Sequence, residues 1–237
     1  MLEAEKISKS FNKKKVVDSI DITIQRGQIV GLLGPNGAGK STAFYIIAGL
    51  IVPHYGRVLL NGTDITHIPV HLRAKLGIGY LPQETSLFRG MSVYANIMAA
   101  VEIIEQDKIR RKSIVERLLE EFGLLHVAYT SVKVLSGGER RKAEIARCLA
   151  TNPQYILLDE PFAGIDPIAV AEIKNLIQNL KKKSIGILIT DHNVRETLSM
   201  IDQGYIIYNG RALVSGTAKE ILEHDGARKL YLGEVFA

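Results

Sequence analysis

The stretch GPNGAGKST, residues 34–42, sets three glycines ahead of a lysine and two hydroxyl side chains. From Gly34 to Ser41 it fits the pattern G-x-x-x-x-G-K-[ST]. A loop of that kind cradles phosphates. Its glycines let backbone N–H groups wrap around the anion, its lysine reaches the β- and γ-phosphates, and its Ser or Thr hydroxyl sits on Mg²⁺. The expected contacts are Gly34, Pro35, Asn36, Gly37, Ala38, Gly39, Lys40, Ser41 and Thr42, with Lys40 on the phosphates and Ser41 on the metal. A glycine turn without function is the plainer alternative. It fits poorly, because the strand-like QIVGLL precedes the loop and the helix-like AFYIIAGL follows it.

A second chemical signal is YILLDE, residues 155–160. Four apolar residues run into Asp159 and Glu160. Successive side chains of a strand face opposite ways, but at a strand end the chain turns and two carboxylates can serve one site. Asp159 fits an outer partner of Mg²⁺. Glu160 is then free to orient or deprotonate an attacking water. Gln83 follows the strand-like GIGYLP, and its amide can contact metal and water; His192 follows GILITD. Taken singly, a loop glutamine and a structural histidine are the plainer readings of these two. LSGGERRK, residues 135–142, adds another anion-ready feature, a serine and two glycines at the start of an amphipathic helix. Two phosphate-binding helix starts in one small chain need an explanation.

Other chemistries find little support. The Asn-Lys-x-Asp element of guanine recognition is missing, since NKKK at 12–15 has no aspartate, so adenine is the expected base. His67 and His71 are separated by Pro69, which argues against one helix presenting both. No Cys or His cluster has zinc spacing, and no Ser–His–acid set can be argued. A single cysteine, Cys148, excludes an internal disulfide and is expected as a small buried thiol. The net charge is +5, with basic clusters at 13–15, 108–112, 140–142 and 181–183. Such clusters read as solvated faces, and no aromatic–basic platform for nucleic acid accompanies them. The longest apolar runs have strand length, well short of the roughly 20 residues of a membrane-spanning helix. MLEAEKISKS lacks the apolar segment of a signal peptide, so the expectation is a soluble, cytoplasmic chain.

These residues have to be held by something. Ile20, Ile22 and Ile24 alternate on one strand face, and strands are also expected at 28–33, 57–65, 77–83, 155–160 and 186–190. Residues 203–216 read as a hairpin turning at Asn209-Gly210. Between 84 and 150 the period turns helical, with Val93, Ile97, Val101 and Ile104 on one helix and Ile114, Leu118, Phe122 and Leu125 on the next. A further helix is expected at 168–182. The fold class is α/β, with an antiparallel β subdomain. The domain reading is an α/β core of residues 1–83 and 151–237 around an inserted helical lobe at 84–150, with a tail at 226–237.

Taken in order, Phe11, the phosphate loop, Gln83, LSGGE, YILLDE, AGID (163–166) and His192 resemble the ATP-binding cassette ATPases over nearly the whole chain. That resemblance implies a phosphate-loop NTPase core of RecA type with a mostly parallel sheet, and ATP with Mg²⁺ as cofactors. It implies that Phe11 stacks on adenine, that Ser41, Gln83 and Asp159 serve the metal, and that Lys40, Gln83, Glu160 and His192 serve catalysis. It also explains the second helix start. In that family two subunits pair head to tail and share two ATP, and here Ser136, Gly137 and Gly138 would meet the γ-phosphate held by the partner. PQETSLFRGMSVYANI, DEPFAGIDPIAV, ITDHNVRETL and YLGEVF resemble the branch that powers lipopolysaccharide export. A branched-chain amino-acid importer is the nearer alternative, and a soluble nucleic-acid-acting ATPase the more distant one. The implied partners are a second copy and two permease subunits docking near Leu87, Phe88 and Arg89, at the cytoplasmic face of the inner membrane. Neither the transported lipid nor nucleic acid is expected to touch the chain.

Overall fold

The computed structural model describes residues 1–233. Six strands form the main sheet: β3 (Ile29–Leu33), β6 (Ile78–Leu81), β7 (Tyr155–Asp159), β8 (Gly186–Thr190), β9 (Gln203–Tyr208) and β10 (Arg211–Gly216), in the order β10-β9-β3-β8-β7-β6. All neighbours are parallel except β10, which pairs antiparallel with β9. Every residue of β3, β7 and β8 is buried, as expected for continuous apolar runs covered on both faces. The second sheet, order β2-β1-β4-β5, is antiparallel and is made of β1 (Leu2–Phe11), β2 (Lys14–Ile24), β4 (Tyr55–Leu60) and β5 (Thr63–Asp64). Ile20, Ile22 and Ile24 share its buried face.

Helix α1 (Lys40–Ala48) lies between the sheets. It packs with β1, β2 and one face of the main sheet, through Val30, Leu32, Leu157 and Leu188. The alternate strand residues Ile29, Leu33, Ile156 and Ile187 face a second core. That core holds α6 (Pro167–Lys182) together with the helices of the central stretch, α3 (Val93–Val101), α4 (Lys108–Glu121) and α5 (Gly137–Leu149). The chain also forms α2 (Val70–Lys75), α7 (Val194–Leu198) and α8 (Ala218–Glu223). Among the described residues no helix is long and apolar enough to cross a membrane.

Several expectations are met in detail. Asn209 and Gly210 both have positive φ, 48° and 78°, the backbone of a tight hairpin turn. Pro69 precedes α2, so His67 lies outside the helix that carries His71. Two periodicities end early. Ile104 lies beyond α3 and is exposed, because the chain turns there before Asp107 caps α4 by accepting from Ile109 and Arg110 N–H. Leu125 lies beyond α4 and is exposed, since Gly123 takes a left-handed φ of 63° and stops the helix. Residues 234–237 of the expected tail, and with them the end of YLGEVF, lie outside the described residues.

One residue that patterning did not single out fixes the far end of α1. Arg73 is fully buried. Its guanidinium donates to the carbonyls of Ile46 and Ile47 at the end of α1, and to those of Ile65, Thr66 and Ile68. Burial pulls it down to about 10, so it stays charged at neutral pH and supplies donors to carbonyls at the helix end, Ile46 O sharing its acceptance with Gly49 N–H.

Candidate active site

The loop between β3 and α1 needs glycine at its corners. Gly34 has φ 144°, and a Cβ there would lie 2.1 Å from the Ile207 carbonyl oxygen. Gly39 has φ 106°, and a Cβ there would lie 2.4 Å from the Val16 carbonyl oxygen. Gly39 also stands at the N-cap of α1, where no side chain caps the first turn. The N–H groups of that turn are thus left to a ligand. Lys40 folds back over its own loop, with Nζ donating to Gly34 O at 2.6 Å and Pro35 O at 2.8 Å. Burial holds its ammonium below the usual lysine range, and the Glu160 carboxylate opposes that shift. A phosphate in the loop can take over both of those hydrogen bonds.

Asp159 ends β7 as a buried residue, and its Oδ2 has no hydrogen-bond partner. Burial raises its carboxyl above the usual carboxylate range, against the pull of the Tyr45 hydroxyl. A buried carboxylate oxygen without a partner is costly. With the exposed hydroxyl of Ser41 in the first turn of α1, it makes an all-oxygen donor set of the kind Mg²⁺ takes. The residues present therefore fit that ion.

Glu160 leaves the strand with φ 44°, a left-handed conformation that a side chain tolerates poorly. Its N–H donates to Thr190 O at 2.7 Å, which fixes the turn. The turn takes Glu160 out of the strand alternation and brings three distant residues together. Gln83 Nε2 donates to Glu160 Oε2 at 2.7 Å, and His192 Nδ1 lies 3.3 Å from the same oxygen. Behind them Asp191 is buried and holds the loop ends by accepting from Phe162 N–H at 3.1 Å and Asn193 N–H at 2.8 Å. A half-buried carboxylate flanked by an amide and an imidazole can orient a water and take its proton. Phe11 is exposed at the end of β1, with Lys9 Nζ 5.7 Å from its ring. It sits at the turn into β2, the strand whose Val16 carbonyl abuts Gly39.

LSGGE lies apart from these residues. Among the described residues, no hydrogen bond or ion pair joins Ser136, Gly137 or Gly138 to residues 34–42. Ser136 is the N-cap of α5 in a reciprocal capping box with Glu139. Gly138 is buried against α6, where a Cβ would meet that of Ala169 at 2.8 Å.

The basic run at 140–142 reads as a solvated face, and at Arg141 the structure corrects this. Arg141 is 6% exposed. From α5 it donates to the carbonyls of Pro82, Asp159, Glu160 and Pro161, and pairs with Glu144 at 2.9 Å. Glu144 in turn accepts from Ser86 N–H at 3.0 Å. The LSGGE helix is thereby tied to both the Gln83 loop and the carboxylate turn. The one hint in the sequence is Glu144, three residues after Arg141 and so on the same face of the helix.

The three candidate docking residues divide. Leu87 is 4% exposed and belongs to the core, which removes it from any surface. Phe88 is 56% exposed and lies 5.6 Å from the Arg147 guanidinium. Its backbone is clamped on both sides by the buried Asn96, which accepts from Phe88 N–H at 2.8 Å and donates to Phe88 O at 3.2 Å. Arg89 is exposed beside it.

The sequence profile described as "ABC transporter" matches residues 17–163. A probable ABC transporter ATP-binding protein of Azorhizobium caulinodans is 53% identical over 235 residues, covering 99% of this chain and 84% of that protein. The lipopolysaccharide export system ATP-binding protein LptB of Haemophilus influenzae is 47% identical over 237 residues, covering 100% and 98%. Among solved structures, the ADP conformation of an ATP-binding cassette of an ABC transporter superposes with a TM-score of 0.88 at 30% identity, covering 98% of each chain.

Proposed function

This chain belongs to the ABC transporter family, as an ATP-binding subunit that hydrolyses ATP, and from that premise we propose that it powers lipopolysaccharide export. The observation that carries this reading is the 47% identity to a lipopolysaccharide export ATP-binding protein across practically the full length of both chains. In this reading the chain is peripheral to the cytoplasmic face of the inner membrane. Phe88, held out by Asn96, and Arg89 dock two permease subunits, and the transported lipid is never touched.

The chemistry follows from the residues. ATP enters the phosphate loop with its adenine against Phe11. Lys40 exchanges the carbonyls of Gly34 and Pro35 for the β- and γ-phosphates. Mg²⁺ held by Ser41, Gln83 and Asp159 would neutralise phosphate charge when bound. Glu160 holds the attacking water and takes its proton. His192 steadies the carboxylate, and Gln83 reports its state to the loop that leads to Phe88. Two copies pair head to tail, so that Ser136, Gly137 and Gly138 of one close on the γ-phosphate held by the other. The separation of LSGGE from the phosphate loop within one chain supports that pairing.

The test is affinity purification of the tagged chain from gently solubilised membranes of its own cells. Two permeases with large periplasmic segments and a single-span partner are the expected companions. A soluble solute-binding protein with a second cassette ATPase would overturn the export reading in favour of amino-acid import.

A further inference from the structure

Ser136 has one hydroxyl proton, and here it is already engaged. Its Oγ donates to Glu139 Oε2 at 2.7 Å and accepts from Glu139 N–H at 3.3 Å. Ser136 N–H donates to the same Oε2 at 2.9 Å. The second oxygen, Oε1, lies 3.1 Å from Nε2 of the exposed His126. These donors, Ser136 first, hold the Glu139 carboxyl below the usual carboxylate range. An anion thus already occupies the start of α5, and it is the chain's own.

A phosphate arriving at Ser136 needs the same proton, because a hydroxyl donates only once. It also brings negative charge beside Glu139, and like charges at this range repel. His126 offers the displaced carboxylate a second partner that it already touches. Building on the head-to-tail pairing proposed above, we infer that Glu139 is a built-in competitor for the γ-phosphate at LSGGE. It keeps Ser136 occupied in the open state, yields the hydroxyl on closure, and is received by His126. Glu139 therefore raises the ATP concentration that closure requires, and His126 lowers it.

Glutamine at this position can still complete the capping box through its amide oxygen, but it carries no charge. The experiment measures dimer formation against ATP by analytical ultracentrifugation, in a Glu160→Gln background that prevents turnover. Adding Glu139→Gln is expected to lower the ATP needed for half-maximal closure by about fivefold, the size of one charge acting at a helix start. Adding His126→Ala instead is expected to raise it by roughly twofold. A purely structural cap predicts something else: no change or weaker closure for Glu139→Gln, and the same direction for both variants. Either result would overturn the inference while leaving the pairing intact. Failure of the Glu160→Gln chain to close at any ATP concentration would remove the pairing, and the inference with it.

Discussion

Two helices of this chain begin as anion sites, and they are finished in opposite ways. At α1 the N-cap is Gly39, left-handed and without a side-chain cap, so the first-turn N–H groups stay open. At α5 the N-cap is Ser136, closed in a capping box by Glu139. The first start is a cradle whose backbone N–H groups no side chain caps, shaped by its glycines before any ligand arrives. The second is a helix end whose own side chains satisfy it, and a ligand must displace them. The difference suits a site that binds nucleotide in one chain and is completed only when a second chain arrives.

The largest effect should come at the carboxylate between the two. Glu160→Gln should lower ATP turnover by about 10²–10⁴-fold, the usual worth of a positioned base, while nucleotide still binds. Steady-state hydrolysis and a fluorescent-nucleotide titration measure the two separately. Near-normal turnover would strip Glu160 of its role and leave the α1 cradle a binding site only.

Arg141→Ala attacks the link between the two helix starts. It leaves Glu144 buried without its partner and frees four carbonyls, so stability should fall by about 3–5 kcal/mol, read from urea melts. A fall under about 1 kcal/mol, the scale of a surface pair, would mean that α5 and the carboxylate turn are joined by other contacts.

The glycines sharpen the contrast further. Gly39→Ala combines a φ of 106° with a Cβ 2.4 Å from Val16 O, so it should cost about 1–3 kcal/mol and abolish nucleotide binding. Gly137→Ala has no positive φ to strain and meets the Ile165 side chain at 3.3 Å and the Gly164 carbonyl oxygen at an ordinary 3.5 Å. It also gains helix propensity of up to about 1 kcal/mol, so its melting temperature should hold or rise. Equal losses at both positions would contradict the distinction between a backbone cradle and a side-chain cap.

The smallest effect concerns the thiol that ends the LSGGE helix. Cys148 is only half-buried as a residue, but its Sγ is enclosed against Gly79, and burial pushes it up to about 12. At pH 8 only about one molecule in ten thousand is then thiolate, so iodoacetamide should label the native chain far more slowly than the urea-unfolded one.

Much of this site was legible because its pieces are local. The phosphate loop, the strand before it and the helix after it are contiguous. The hairpin at Asn209-Gly210 and the strands at 155–159 and 186–190 carry their own turn residues and apolar runs. What escaped depends on long-range placement. Arg141 belongs to a basic run that reads as a solvated face, and only the fold turns it inward toward residues about twenty and sixty positions away. Arg73 escaped for the same reason. Leu87 looked like a neighbour of Phe88 on one surface, but in an irregular segment adjacent residues face different ways, and Leu87 faces the core. Ile104 continued a helical period past the end of α3 at Val101, and Leu125 continued one past Gly123, which stops α4.

The central claim is that the two helix starts serve one nucleotide from two different chains. The direct test mixes two variants. Lys40→Ala disables the phosphate loop and leaves LSGGE intact. Ser136→Asp keeps a good N-cap but sets a carboxylate against the incoming phosphate. Each chain alone should be inactive, and a mixture should regain ATP hydrolysis, because a mixed pair holds one site with both halves intact. A mixture as inactive as its two components would contradict the account.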